Sequence, residues 1–284
     1  MSETVHVVGN RSRPDLVEHI SRLGHRPVLL DAHSRDETRA EVRRATEAGA
    51  TRVIVLGGDG IVHDVVQEIA GTSVTLGIVP LGTGNDTARA FGVPLKDPRR
   101  AVEQALGDGR AVDLIHTPHG YVTSVVTSGF SARVNERANH YARPKGSLKY
   151  TLATLSLLPS LRSERVTVTI DGQSVTYEST LVAIANTRYF GGGMAICPNA
   201  SPTDGLLDVA IVGRLSRAAL LRFLPSVFSG RHARNPRVTF LRGASVLIEG
   251  GGPVRGDGEA LGPMPCRCEV APGALLVAVG PSFH

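Results

Sequence analysis

The sequence predicts an α/β protein in two parts: a parallel sheet covered by helices, then a β-sandwich-like domain. Three observations carry this. As far as Ile115, short β-branched runs alternate with segments whose apolar residues recur at helical spacing, the rhythm of a sheet covered on both faces. Beyond Ile115, short strand candidates follow one another with two helical stretches among them. Two consecutive strands of the first part each end in a glycine-rich turn, at the sheet end where ligands of open α/β folds sit. The domains divide as residues 1–115 and 116–284, with the last strand free to return toward the first domain. No repeat or long linker separates them, and the cleft between them is the expected working site.

The first strand, Val5 to Val8, runs into Gly9 and Asn10 before a helix opened by Pro14, which turns Leu16, Val17, Ile20 and Leu23 to one face and closes at Gly24. Val28 to Leu30 is the second strand. Ser34, with Glu37 three residues on, forms a capping box for a helix ending near Gly49. Strand Val53 to Leu56 breaks at Gly57-Gly58-Asp59-Gly60 and resumes as a helix bearing Ile61, Val62, Val65, Val66 and Ile69. Such a turn leaves peptide N–H groups bare beside a helix N-terminus, ready for a phosphate chain, and Asp59 adds a carboxylate for a metal ion. Strand Val74 to Val79 repeats the construction, entering Pro80-Leu81-Gly82-Thr83-Gly84-Asn85-Asp86 and a short helix, so two turns fall side by side. A Pro98 to Leu106 helix and the run Val112 to Leu114 complete this part.

In the second part the expected strands are Tyr121 to Thr127, Val166 to Ile170, Val175 to Tyr177, Leu181 to Ala185, Leu206 to Val212, Val238 to Phe240, Val246 to Ile248 and Leu275 to Val279. Asp171-Gly172 reads as a hairpin turn. Helix Ser147 to Leu161 is apolar in a basic setting, with Arg133, Arg137, Arg143, Lys145, Lys149, Arg162 and Arg165 against Glu136 and Glu164. That pattern suits an anionic membrane surface, and equally a core helix with a solvated flank. Leu215 to Phe228 is a structural helix. Asp204-Gly205 reads as a turn into a strand and Gly256-Asp257-Gly258 as a tight hairpin.

The net charge of +5 favours anionic partners, yet aromatics are 4% and tryptophan is absent, which excludes a stacking platform for single-stranded nucleic acid. No nucleic-acid partner is expected. Cys197, Cys266 and Cys268 make no paired framework and read as reduced thiols, with Cys266 and Cys268 on one strand face. The start of the chain enters a strand directly, and no apolar run is long enough to cross a bilayer, so a cytoplasmic protein is expected.

The two turns together resemble the catalytic domain of diacylglycerol kinases, sphingosine and ceramide kinases and bacterial lipid kinases. Gly57 to Val65 is similar to the GGDGTxNEV segment of that family, with Ile61, His63 and Asp64 standing where it carries Thr, Asn and Glu, and Pro80 to Arg89 is similar to PxGTGNDxAR. The resemblance implies an N-terminal NAD-kinase-like nucleotide domain and an ATP- and Mg²⁺-dependent transfer to a lipid hydroxyl, with diacylglycerol the default acceptor. It implies ATP contacts from Asn10, Ser34, Gly57, Gly58, Asp59, Gly60, Asp64, Gly82, Thr83, Gly84, Asn85 and Asp86. Pro198 to Asp208 resembles the family's metal segment, which implies Asp204 as carboxylate ligand with carbonyl oxygens of Ser201 and Leu206. Arg255 to Glu259 resembles its DGE segment, which implies Glu259 as general base, then Asp257, with Asp59 a third candidate. A lipid at a membrane surface is the implied partner, the protein being peripheral to the membrane, and a homodimer stays open. The alternatives are a kinase for another hydroxylated acceptor, whether a sphingoid base, another lipid, a small metabolite or NAD, and a catalytically silent nucleotide or lipid sensor.

Overall fold

The structure is a computed structural model that describes residues 3–9, 12–141, 147–281 and 283, apart from the side chains of 139 and 147–151. The chain forms two compact units, residues 1–113 with 272–284, and residues 114–271.

The first unit runs β1 (Thr4–Gly9), α1 (Pro14–Arg22), β2 (Arg26–Leu29), α2 (Arg35–Glu47), β3 (Arg52–Gly57), α3 (Asp59–Ile69), β4 (Thr75–Pro80), α4 (Asp86–Ala90) and α5 (Pro98–Ala105). Strand β5 (Gly109–Thr117) then carries the chain into the second unit. β2, β1, β3 and β4 pair in that order, all parallel, and Leu276 and Val277 extend the sheet beside β4. Because the two faces are both covered, β3 is apolar from Val53 to Leu56: Val53, Ile54 and Val55 are fully buried. Arg52 at its start is buried as well, and donates to the carbonyls of Ala105 (2.9 Å) and Gly107 (2.8 Å), satisfying the C-terminal end of α5. Gly77 of β4 lets α5 approach, since a Cβ there would stand 2.7 Å from that of Ala105.

The second unit contains β6 (Gly120–Val122), β7 (Val125–Gly129), α6 (Phe130–Asn139), α7 (Ser147–Leu157), β8 (Glu164–Ile170), β9 (Gln173–Ala185), β10 (Tyr189–Phe190), β11 (Met194–Ala195), β12 (Leu207–Gly213), α8 (Arg217–Phe228), β13 (Val238–Gly243), β14 (Ser245–Gly250), β15 (Val254–Gly256), β16 (Glu259–Ala260) and β17 (Cys266–Ala278). Its sheet is antiparallel in the order β16-β15-β7-β9-β8-β14-β17, and β12 joins β9 to β13. One core gathers Val166, Val168, Val182, Ile184, Val209 and Val246; a second, with α8, gathers Phe130, Ala183, Val212, Leu220 and Phe223. Alternate residues of β9 and β12 thus serve opposite faces, as a sandwich demands.

Four expected strands differ in extent. Tyr121 to Thr127 is two strands, β6 and β7, because the amides of Thr123 and Ser124 leave the ladder and donate to the Asp257 carboxylate at 2.8 and 2.9 Å. Val175 to Tyr177 and Leu181 to Ala185 are one strand. The polar residues between them hold it together: Ser179 donates to the Val212 carbonyl and Thr180 to that of Gly213, where β12 shifts register. Leu275 to Val279 belongs to β17, which starts at Cys266 and buries Cys266 and Cys268 on one face.

The Asp171-Gly172 turn is a two-residue hairpin with φ of 47° and 86°, the left-handed pair that such a connection requires. Its carboxylate does more than turn the chain, accepting the amides of Ala244 (3.1 Å) and Ser245 (2.9 Å) at the start of β14. Asp171→Ala is expected to lower unfolding free energy by about 1–2 kcal/mol in urea titration, and Asp171→Asn, which keeps an acceptor and tolerates positive φ, by about half as much.

Candidate functional site

In the first unit, parallel pairing of β3 with β4 sets Gly57 opposite Pro80, and the Leu81 amide donates to the Gly57 carbonyl at 2.9 Å. Both strands therefore end at the same level. The turns that follow touch backbone to backbone: a Cβ on Gly82 would lie 2.6 Å from the Cα of Gly58, and one on Gly58 would lie 3.0 Å from the Cα of Gly82. Gly84 is pressed in the same way, with a Cβ there 2.9 Å from Oδ2 of Asp59. Asp59 fastens the pair, its Oδ1 accepting the Thr87 amide at 3.1 Å. Asn85, at φ 52°, locks the second turn from within: its Oδ1 accepts the Gly82 amide (3.1 Å) and its Nδ2 donates to the Gly82 carbonyl (2.8 Å). Gly82 and Thr83 remain exposed, while Asp86 is buried in the first turn of α4. Bare peptide groups beside the N-terminus of α3 fit a phosphate chain, and side chains at 58, 82 or 84 would fill that cradle.

Other residues singled out in this unit are placed differently. The Asp64 carboxylate is nearly inaccessible and belongs to the α2–α3 packing, taking a two-pronged contact from Arg35 (2.9 Å each) and another from Arg39 (2.9 Å). Ser34 caps α2, accepting the Glu37 amide at 3.2 Å, while Glu37 reaches back to the His33 amide at 2.6 Å. Asn10 lies outside the described residues. Ile61 packs over Gly57, where its Cγ2 occupies the space a side chain would need.

In the second unit, Asp257 and Gly258 form a hairpin turn with φ of 50° and 90°, joining β15 to β16. The Asp257 carboxylate takes the amides of Thr123 and Ser124 and also the Ser124 hydroxyl, so three donors hold it. Glu259 opens β16 opposite Gly256 and is half-buried. Asp204 accepts the Leu206 amide at 3.1 Å with one oxygen and pairs with Arg242 through the other. Arg242 also reaches Asp208 at 3.3 Å, directly across the β12–β13 ladder. Burial pushes the Asp208 carboxyl above the ordinary range despite that arginine, with the Asp204 charge adding to the effect. Two carboxylates thus share one guanidinium.

Both Asp204 oxygens are engaged, by the Leu206 amide and by Arg242, and among the described residues no group of three or more His, Cys, Asp or Glu gathers for a metal. The partners Arg35, Arg39, Arg242, Thr123 and Ser124 escape a reading by motif because they come from distant segments. Register alone would have found Arg242, once β12 and β13 were known to pair.

Residues 9–117 match the family described as diacylglycerol kinase catalytic domain, and residues 124–279 match the YegS C-terminal NAD kinase beta sandwich-like domain. A diacylglycerol kinase of Mycobacterium tuberculosis is 38% identical over 272 residues, covering 91% of this chain and 87% of that protein. Among solved structures, a diacylglycerol kinase from Bacillus anthracis superposes with a TM-score of 0.77 at 20% identity, covering 100% of this chain and 98% of the other. An NAD kinase from Archaeoglobus fulgidus, solved in complex with ATP, shares the fold at a TM-score of 0.57 and 10% identity, over 99% and 95% of the two chains. The paired turns, the sandwich and these likenesses agree: the chain belongs to the diacylglycerol kinase and YegS-like lipid kinase family, phosphotransferases that act on an alcohol acceptor.

Proposed function

We propose that this enzyme transfers the γ-phosphoryl group of ATP to the free hydroxyl of diacylglycerol, giving phosphatidic acid, in a Mg²⁺-dependent reaction. The observation that carries the reading is the contact of Gly58 with Gly82 under the clasp of Asp59, which leaves two bare turns side by side. In this reading the backbone of Gly57, Gly58, Gly60, Gly82, Thr83 and Gly84 holds the phosphates. Asp204 supplies a carboxylate for the metal, and the Ser201 and Leu206 carbonyls complete its protein ligands. Mg²⁺, when bound, neutralises charge on the transferring group. Support for the acceptor comes from the name of the mycobacterial relative, a diacylglycerol kinase.

Glu259 is the proposed base that takes the acceptor's proton. Asp257 is the weaker candidate, because its oxygens already receive three donors, as Asp171 receives two in the equivalent turn. A carboxylate so engaged is held in orientation but has little capacity left for a substrate hydroxyl.

Two outcomes follow. Gly82→Ala is expected to weaken ATP binding at least about tenfold by calorimetry, since the new methyl group drives the turns apart; unchanged affinity would remove the phosphate role from this pair. Glu259→Gln is expected to lower kcat by about 10²–10⁴-fold with ATP affinity retained, whereas Asp257→Asn lowers the melting temperature as well. The assay is phosphorylation of a lipid extract read by mass spectrometry, beside Asp59→Ala. Phosphate found only on NAD, or equal rates in all variants, would defeat the proposal.

A further inference from the structure

The distribution of charge in the second unit is uneven. Residues 209–248 contain seven arginines and neither Asp nor Glu, so this stretch carries +7 in a chain whose net charge is +5. All seven are exposed, Arg214, Arg217, Arg222, Arg231, Arg234 and Arg237 together with Arg242. Among the described residues only Arg242 of the seven has a carboxylate partner. The same stretch contains α8, whose burial pattern separates two faces. Leu220, Phe223 and Val227 point into the core. The opposite stripe is Ala218, Leu221, Pro225 and Phe228, flanked by Arg217 and Arg222. Leu221 is 46% exposed and Phe228 54%, although both are large and apolar. After Gly230, the single 3₁₀ turn Arg231–Arg234 continues the basic surface while burying His232, whose Nε2 meets the Ile196 carbonyl at 2.9 Å.

A solvent-facing helix stripe is normally polar. This one instead combines protruding Leu and Phe with guanidinium groups that meet no carboxylate, the composition of a helix lying in a bilayer interface, apolar side chains among the acyl ends and arginines at the phosphates. We propose that the outer face of α8 with the Arg231–Arg234 turn is the surface that docks this protein on an anionic lipid membrane. Charge complementarity selects the occupant: duplex nucleic acid would match the arginines but leave Leu221 and Phe228 without a role, and a second copy of the same face would set like charges together. The docking role rests on the lipid-kinase reading, for an enzyme of that kind meets its acceptor at a membrane; the binding itself does not require catalysis.

The test is flotation of the full chain with vesicles of phosphatidylcholine alone or with one-third phosphatidylglycerol, without ATP. Binding is expected only to the anionic vesicles and to fall with salt. Each arginine near the surface contributes roughly fivefold, so Arg222→Ala with Arg231→Ala and Arg234→Ala should weaken binding by at least about tenfold. Leu221→Ser with Phe228→Ser should do the same at unchanged melting temperature, as both side chains are exposed. All variants should phosphorylate detergent-dispersed lipid as the parent does, which separates docking from chemistry. Loss of lipid phosphorylation in the parent itself would strike the kinase reading and leave docking standing. Equal vesicle binding by parent and variants would overturn the docking surface. So would conversion of a dimer to a monomer by the Leu221 and Phe228 changes with vesicle binding intact, or tighter retention on duplex DNA than on anionic vesicles.

Discussion

Gly58 and Gly82 approach so closely that no methyl group fits between them, and the first unit is arranged around that contact. It exists because β3 and β4 are parallel neighbours in a register that ends both at the same level, Gly57 beside Pro80. That register runs along two continuously buried strands, from Arg52 beside Thr75 to Gly57 beside Pro80. Packing deep in the sheet thereby fixes the position of peptide groups at its edge. Asn85 and Asp59 add hydrogen bonds that hold the turns where the sheet delivers them, so the cradle is rigid before any ligand arrives.

The second unit uses carboxylates for a related purpose. Asp171 and Asp257 occupy the same place in two Asp-Gly hairpins, at φ of 47° and 50°, and each gathers the amides of two consecutive residues at a junction between two other strands. One of these turns has no catalytic candidate beside it, which shows that the arrangement is sufficient as architecture. At Asp257 it interrupts the strand between β6 and β7 and brings Glu259 to a fixed position in β16, opposite Gly256. The geometry that the two turns share thus fixes the backbone position of the residue two places later.

Much of this was legible in the sequence, and the reason differs between the units. Helices α1 to α5 and strands β1 to β4 announce themselves through local signals, such as Pro14, the Ser34 capping box and the Asp97-Pro98 start of α5, where the Asp97 side chain accepts the Arg100 amide. The two turns declared their adjacency because parallel strands in sequence tend to pair. In the second unit the extents of β6, β7 and β9 depend on hydrogen bonds to residues up to 134 positions away, which no local window contains. The same holds for the site: Asp59 was read from its turn, whereas Asp64 resembled a ligand by position and is engaged by Arg35 and Arg39 across a helix interface. Motifs record which residue types recur. They do not record which neighbour has claimed a side chain.

Position 61 illustrates how a departure from the family pattern is absorbed. Where the GGDGTxNEV segment carries Thr, this chain has Ile, and a hydroxyl is lost. The side chain packs instead over the α-carbon of Gly57, with its Cδ1 reaching the place a Cβ on Gly9 would occupy, 3.2 Å away. It fills the gap that two glycines create between the ends of β1 and β3, and a buried methyl group at such a point contributes about as much as the hydrogen bond it replaces. In the proposed reading the phosphates meet peptide N–H groups, which belong to the turn itself and not to this side chain. The substitution therefore exchanges a polar contact for packing at the base of the cradle, and leaves intact the backbone that forms its walls.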